Sequence, residues 1–187
     1  GIPDEAGITF YNSFARTYEG HGSDRAILGG LMDFKTDDAR IKDALELAKE
    51  KSVHYTFKSI GNSSVHHPNT IKLLLKKGDH QVEIFGESLG GGVINISEID
   101  GFVANFSAQN HTLIIKAEDV SGSIAFISSV IAQEKVNIAT MSVSRKGKHD
   151  MACHVIEMDS GIHEITRQYL LSLPWIKELI YIPDIDL

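Results

Sequence analysis

Six consecutive segments in the C-terminal half of the chain change hydrophobic period in a set order, and that order restricts the fold more than any other feature of the sequence. His111 to Lys116 reads as a strand and Gly122 to Glu134 as a helix with Ile124, Ile127 and Ile131 inward. Asn137 to Arg145 follows as a strand with Ala139, Met141 and Val143 on one face. After a turn at Lys146-Gly147-Lys148 comes a strand over 151 to 158, then a helix over 162 to 173 with Ile162, Ile165, Tyr169 and Leu173 on one stripe. A last strand runs from 177 to 182, after Pro174-Trp175. Spacing by two lines one face of a strand, and spacing by three or four lines one face of a helix. The order βαββαβ therefore predicts a ferredoxin-like half-open sandwich.

The residues before Asn110 follow a different pattern. A strand near 7 to 12 leads through a glycine-rich stretch into a short helix at 24 to 32, then a longer one at 37 to 51. In that longer helix Ile41, Ala44, Leu45 and Ala48 recur at helical spacing, with Asp37 and Asp38 at the start and Lys49 and Lys51 at the end, as the helix dipole prefers. Strands are expected near 53 to 59, 70 to 76, 81 to 87, 93 to 99 and 102 to 107, with turns at Gly78-Asp79 and Asp100-Gly101. This makes an α+β block with a mostly antiparallel sheet and its helices gathered on one side. The polar stretch Ser107-Ala108-Gln109 divides the chain into residues 1–108 and 109–187.

Three pieces of the first block place small residues beside groups that hold or move a proton. In Gly20-His21-Gly22-Ser23-Asp24 the imidazole has little cover, and its reference pKa of about 6.5 suits proton transfer near neutrality. Ser23 is a favoured N-cap, so His21 is expected just before a helix N-terminus, whose partial positive charge keeps a neighbouring imidazole neutral. His66-His67-Pro68-Asn69 forces His67 into an extended conformation, and adjacent histidines on an extended chain point to opposite sides, a poor arrangement for one metal ion. In Ser88-Leu89-Gly90-Gly91-Gly92 the free amides of Gly90, Gly91 and Gly92 can meet a carboxylate, but the run lacks the Lys-Ser/Thr ending of a phosphate loop. Taken singly, each piece is explained as a turn or, for Ser88 to Gly92, a bulged hairpin; their co-occurrence raises the functional alternative.

With 187 residues and 42% hydrophobic content the chain can bury one good core or two small ones. A net charge of -7 and the lack of an arginine cluster argue against a nucleic-acid partner. No apolar stretch approaches the roughly 20 residues of a membrane helix, and no membrane partner is expected. One cysteine, Cys153, rules out an internal disulfide or a cluster held by this chain alone; within Met151-Ala152-Cys153-His154-Val155 it reads as a small core residue, and the cytoplasm is the expected compartment. The sequence opens on Gly1 and is strand-like by Ile8, which suggests a fragment or trimmed chain.

The second block resembles an ACT domain over most of 111 to 184, through the Asp119-Val120-Ser121-Gly122 junction and Val136-Asn137-Ile138. The first resembles the β subunit of the iron-sulfur-dependent L-serine dehydratases, also called L-serine ammonia-lyases. Tyr11 to Tyr18 running into Gly20 to Asp24, then Asp37-Asp38-Ala39-Arg40-Ile41, His67-Pro68-Asn69-Thr70, Ser88 to Gly92 and an ACT domain follow that family in order. The resemblance implies an allosteric substrate-binding type of fold in the first block, with a serine-rich segment carrying a histidine expected upstream of Gly1.

It also implies β-elimination of L-serine to pyruvate and ammonia, with a 4Fe-4S cluster held by a partner α subunit and not by this chain. On that basis His21 is the expected catalytic proton-transfer residue. His67, Asn69, Ser88, Gly90, Gly91 and Gly92 are expected substrate contacts. Asp119, Ser121, Gly122 and Asn137 are expected to form a regulatory loop, and the ACT domain to offer a homodimer contact. The alternative from another class is a non-catalytic amino-acid-binding regulatory or assembly module. A self-sufficient hydrolase is disfavoured, because no nucleophile elbow, HExxH pattern or close carboxylate pair occurs.

Overall fold

The computed structural model describes residues 1–64, 66–107 and 109–184. By compactness the chain divides into Gly1–Gly101 and the residues from Phe102 onward. The first unit holds β1 (Glu5–Tyr11), α1 (Phe14–Thr17), α2 (Ser23–Leu31), a 3₁₀ turn (Ala39–Asp43), α3 (Ala44–Glu50), β2 (His54–Ile60), β3 (Thr70–Lys77), β4 (His80–Gly90) and β5 (Val93–Ile99). Its sheet runs β2-β1-β3-β4-β5, and β6 (Phe102–Phe106) opens the second unit. Only β1 and β2 are parallel among the paired strands described, and a parallel pair needs a long crossover, which α1 to α3 supply.

Alternation along β1 decides the layers. Ala6, Ile8 and Phe10 are buried against Leu28 and Met32 of α2 and Ala44 and Ala48 of α3. Gly7, Thr9 and Tyr11 lie on the opposite face, as the period of two requires. The helices thus gather on one side, as the sequence predicts. The single helix expected over 37 to 51 is instead a 3₁₀ turn followed by α3. Asp38 stays extended and its carboxylate accepts from Arg40 N–H at 2.9 Å, so helical geometry starts only at Ala39.

The second unit holds β7 (His111–Glu118), α4 (Ser123–Gln133), β8 (Ile138–Arg145), β9 (Met151–Met158), α5 (Glu164–Leu171) and β10 (Ile176–Ile182). Its sheet has the order β10-β7-β9-β8 and is antiparallel throughout. The βαββαβ order is as predicted, and the protein is α+β with two mostly antiparallel sheets. Leu113, Ile115, Ala117, Ile156 and Met158 form one apolar sheet face, covered by Ile127, Val130 and Ile131 of α4 and Leu170 of α5. The other face is buried too at Ile114, Cys153 and Val155, so Cys153 is a core residue as expected.

Both predicted stripes hold at Ile127, Ile131, Ile162 and Leu173 and fail at one or two positions each. Ile124 and Ile165 are 49% and 76% exposed, and α4 turns Val130 inward where Ile124 was expected. On α5 Leu170 turns inward, followed past the helix end by Leu173, which leaves Tyr169 half exposed. In β8 a register shift between Ile138 and Thr140 takes Ala139 off the face it was assigned, so Ile138 joins Met141, which packs on the core as expected.

No helix among the described residues is long and apolar enough to cross a membrane. The N-cap of α5, His163, makes no side-chain capping bond, and Glu134 takes over from the end of α4. Its carboxylate accepts from Thr166 Oγ1, His163 Nδ1 and His163 N–H. The Thr166 hydroxyl, followed by His163, holds the Glu134 carboxyl below its ordinary pKa. A carboxylate with a depressed folded pKa stabilises above its unfolded pKa and loses that contribution as pH falls through the folded value. Glu134→Ala is therefore expected to lower unfolding free energy by about 1 kcal/mol at neutral pH. Urea melts should show the difference between variant and wild type shrinking once pH drops below the usual carboxylate range.

Candidate functional site

At the end of β1 the chain turns sharply at Asn12, which adopts a left-handed φ of 53°. The next helix, α1, is a single turn fastened at both ends. Phe14 N–H donates to Pro68 O at 3.2 Å, and Thr17 O accepts from His21 N–H at 3.0 Å. The His21 and His67 segments are therefore joined to opposite ends of one helical turn. Tyr18, just beyond α1, stacks on Phe10 with ring centroids 4.0 Å apart, which fixes this turn over the buried face of β1. Burial, then the Glu19 carboxylate to which it donates at 3.0 Å, raises the Tyr18 pKa, so its hydroxyl keeps its proton at neutral pH.

His21 itself is exposed. It precedes α2 as expected, but the N-cap is Gly22 and Ser23 is already the first helical residue. Gly22 has φ 68°, which glycine adopts without the Cβ clash that burdens other residues. Asp24, in the first turn of α2, is buried, and its Oδ1 has no hydrogen-bond partner among the described residues.

His66 and His67 part company as two neighbours on an extended chain should. His66 stacks on Phe85 at 5.3 Å and lies 4.5 Å from Tyr11, whereas His67 is exposed. His67 Nδ1 accepts from Asn69 N–H at 3.2 Å, and Thr70 Oγ1 donates to His67 O at 2.9 Å. With Nδ1 occupied as an acceptor, the neutral ring carries its proton on Nε2 and presents an N–H donor outward. Ser88 joins this segment through its N–H, which donates to Asn69 O at 3.0 Å. Gly90, Gly91 and Gly92 are not brought with it. They form the exposed tip of the β4–β5 hairpin beyond a register shift, with φ of 86°, 61° and 81°.

Asn12 was passed over in the sequence, although it holds the histidine segment together. Its Nδ2 donates to Ser63 O and His66 O at 3.0 Å each and to His67 O at 3.3 Å, while Oδ1 accepts from Ser63 N–H at 2.6 Å. The sequence offers an asparagine at the end of a strand, within the Tyr11 to Tyr18 stretch, and asparagine tolerates positive φ. A groove of about 1150 Å³ lies over the open face of the first sheet, lined by Thr9, Tyr11, Lys58, Lys72 and Lys76 among others. His21, His67, Asn69 and Ser88 stand outside it.

In the second unit, Asp119 accepts from His149 N–H and Arg145 Nη1, both at 3.1 Å. The His149 amide, then Arg145, lowers its pKa. Ser121 is exposed, and Gly122 caps α4 with φ 86°. Asn137 is not near these three: it precedes β8 at the Met158 end of β9, while Asp119 follows β7 at the Met151 end. Its Nδ2 instead donates to Asp159 Oδ2 at 2.7 Å. His154, fully buried under the start of α4, has Nε2 3.4 Å from Ser123 Oγ, and burial depresses its pKa so that it stays neutral.

Among the described residues no group of three or more His, Cys, Asp or Glu side chains is placed to hold a metal ion, and Cys153 is fully buried. This chain's described residues therefore do not fit a metal cluster of their own.

The fold is a two-unit α+β chain in which two exposed histidine turns are fastened to opposite ends of α1. No protein-family profile matches the chain. It is 37% identical over 182 residues to the probable L-serine dehydratase β chain of Bacillus subtilis, covering 97% of this chain and 82% of that protein. It is 30% identical over 164 residues to the L-serine dehydratase β chain of Peptoniphilus asaccharolyticus, covering 87% of this chain and 74% of that one. A D-3-phosphoglycerate dehydrogenase of Bacillus subtilis is 27% identical over 170 residues, 86% of this chain but 29% of that protein. The chain belongs to the L-serine dehydratase β chain family.

The histidine geometry is directly measurable. With ¹⁵N-labelled histidine above pH 8, His67 is expected to give the pattern of an Nε2–H tautomer; an Nδ1–H pattern would contradict the Asn69 contact.

Proposed function

We propose that this chain works with a cluster-bearing α subunit to convert L-serine to pyruvate and ammonia by β-elimination. Supporting this are the 37% identity to a probable L-serine dehydratase β chain and the fastening of both histidine segments to one helical turn. In the reaction the α-proton and the β-hydroxyl leave together as water, giving aminoacrylate. Its imine tautomer then takes up water to release ammonia and pyruvate.

His21 is exposed and free to accept the α-proton. His67, as an Nε2–H donor, suits the substrate carboxylate better than it suits proton abstraction, because the neutral ring has no lone pair to offer at Nε2. Asn69 and Ser88 orient that segment. The 4Fe-4S cluster belongs to the α subunit in this reading, because such clusters are held by several thiolates and this chain has a single cysteine. The second unit acts as an ACT domain, with Asp119, Ser121 and Gly122 forming its loop and a second β subunit as its expected contact.

The test is serine-dependent pyruvate formation, assayed anaerobically with this chain alone and after adding the α subunit with its cluster intact. Activity is expected only in the mixture. There, His21→Ala should lower kcat at least about 100-fold while circular dichroism is unchanged. Retained turnover would remove His21 from the reaction. Serine binding without turnover in the verified mixture would favour an amino-acid-binding regulatory module.

A further inference from the structure

We infer that Asn12 is a positioning residue that sets the His67–Asn69 segment for substrate. The inference rests on the function proposed above. One amide side chain satisfies both strands of a fold-back: Nδ2 shares its two hydrogens among the carbonyls of Ser63, His66 and His67, and Oδ1 takes the Ser63 amide. Without it, half-buried backbone groups of Ser63 and His66 lose the partners they have here.

The segment is held from the other side by His66, stacked on Phe85 and packed on Tyr11, the residue just before Asn12. Main chain and ring together fix where His67 begins. Its own imidazole is fixed by Asn69 N–H on Nδ1, so the direction of the Nε2–H donor follows from the Asn12 clasp. Asn12 touches no reacting atom in this scheme. It acts through His67, and a shift of about 1 Å in such a group can cost on the order of 100-fold.

Two variants in the assembled αβ enzyme separate the clasp from the backbone. Asn12→Gly keeps the left-handed turn and removes the amide; Asn12→Asp keeps the acceptor for Ser63 N–H and sets a carboxylate against the carbonyls. Both should raise KM for L-serine about 10- to 100-fold and change kcat much less, because carboxylate binding is common to ground and transition states. Both should also blur the ¹⁵N tautomer pattern of His67 and speed exchange of the Ser63 and Asn69 amides. Should Asn12→Gly fail to melt cooperatively, Asn12→Asp decides.

An unaltered KM with an unaltered His67 pattern in a folded variant would overturn the clasp. A kcat loss at constant KM would overturn it as well, because the segment would then be serving the chemical step. Wild-type αβ enzyme without serine turnover would instead overturn the proposed function, before any variant is compared.

Discussion

Phe10 is the contact on which the arrangement of the first unit turns. It is fully buried near the end of β1, the strand lying between β2 and β3, and three aromatic rings close on it. Tyr18 stacks at 4.0 Å, Phe14 meets it edge-on at 5.1 Å, and Phe57 of β2 lies at 6.1 Å. Burying one such ring is worth about 2 kcal/mol from area alone, and favourable ring geometry adds to that. A four-residue helix such as α1 is too short to be stable by its own hydrogen bonds. It persists because Phe14 and Tyr18, at its two ends, are both committed to Phe10. The His21 turn, which hangs from Thr17 and Tyr18, inherits its position from that cluster.

The period of two carries this constraint across the sheet. Phe10 faces the helices, so Tyr11 must face the other side, where it meets His66 and Phe85. Asn12 then leaves the strand with a positive φ and turns its amide back onto the segment that carries those histidines. Three successive residues thus secure the helix layer, the open sheet face and the histidine loop. A one-residue slip in β1 would exchange these duties, which is why the register against β2 and β3 matters more here than the exact length of either strand.

Strand and helix order was legible because most segments have one clear period bounded by glycine or polar turns. What misled the sequence reading was local. Ile124 and Ile165 are apolar and spaced as a stripe would be, yet each helix rotates to bury Val130 or Leu170, a choice made by the sheet and not by the helix. Ala139 changed face because of a bulge, which has no reliable signature in an isolated β-branched strand. The site was legible in its residue types and less so in its geometry: glycines flanking His21 and a proline after His67 are visible in the sequence, whereas the joining of the two through Phe14, Pro68 and Asn12 depends on pairings more than 50 positions apart.

The same distinction separates Ser88 from the glycines after it. Ser88 sits in the β4 ladder, and its amide is committed to Asn69, so the sheet itself delivers it to the histidine segment. Gly91 is three residues further on, about 10 Å along an extended chain, and a Cβ built there meets nothing within 4 Å. Its positive φ is fully explained by the turn it makes. A glycine run that closes a hairpin and one that cradles a carboxylate look alike in sequence, because both need a backbone free of side chains. They differ in what lies opposite the amides; here a Cβ built at any of the three meets none of the described neighbours within 4 Å. The fold ties the two histidine turns to α1 and Ser88 to Asn69, whereas the three glycines take their conformation from the hairpin they close.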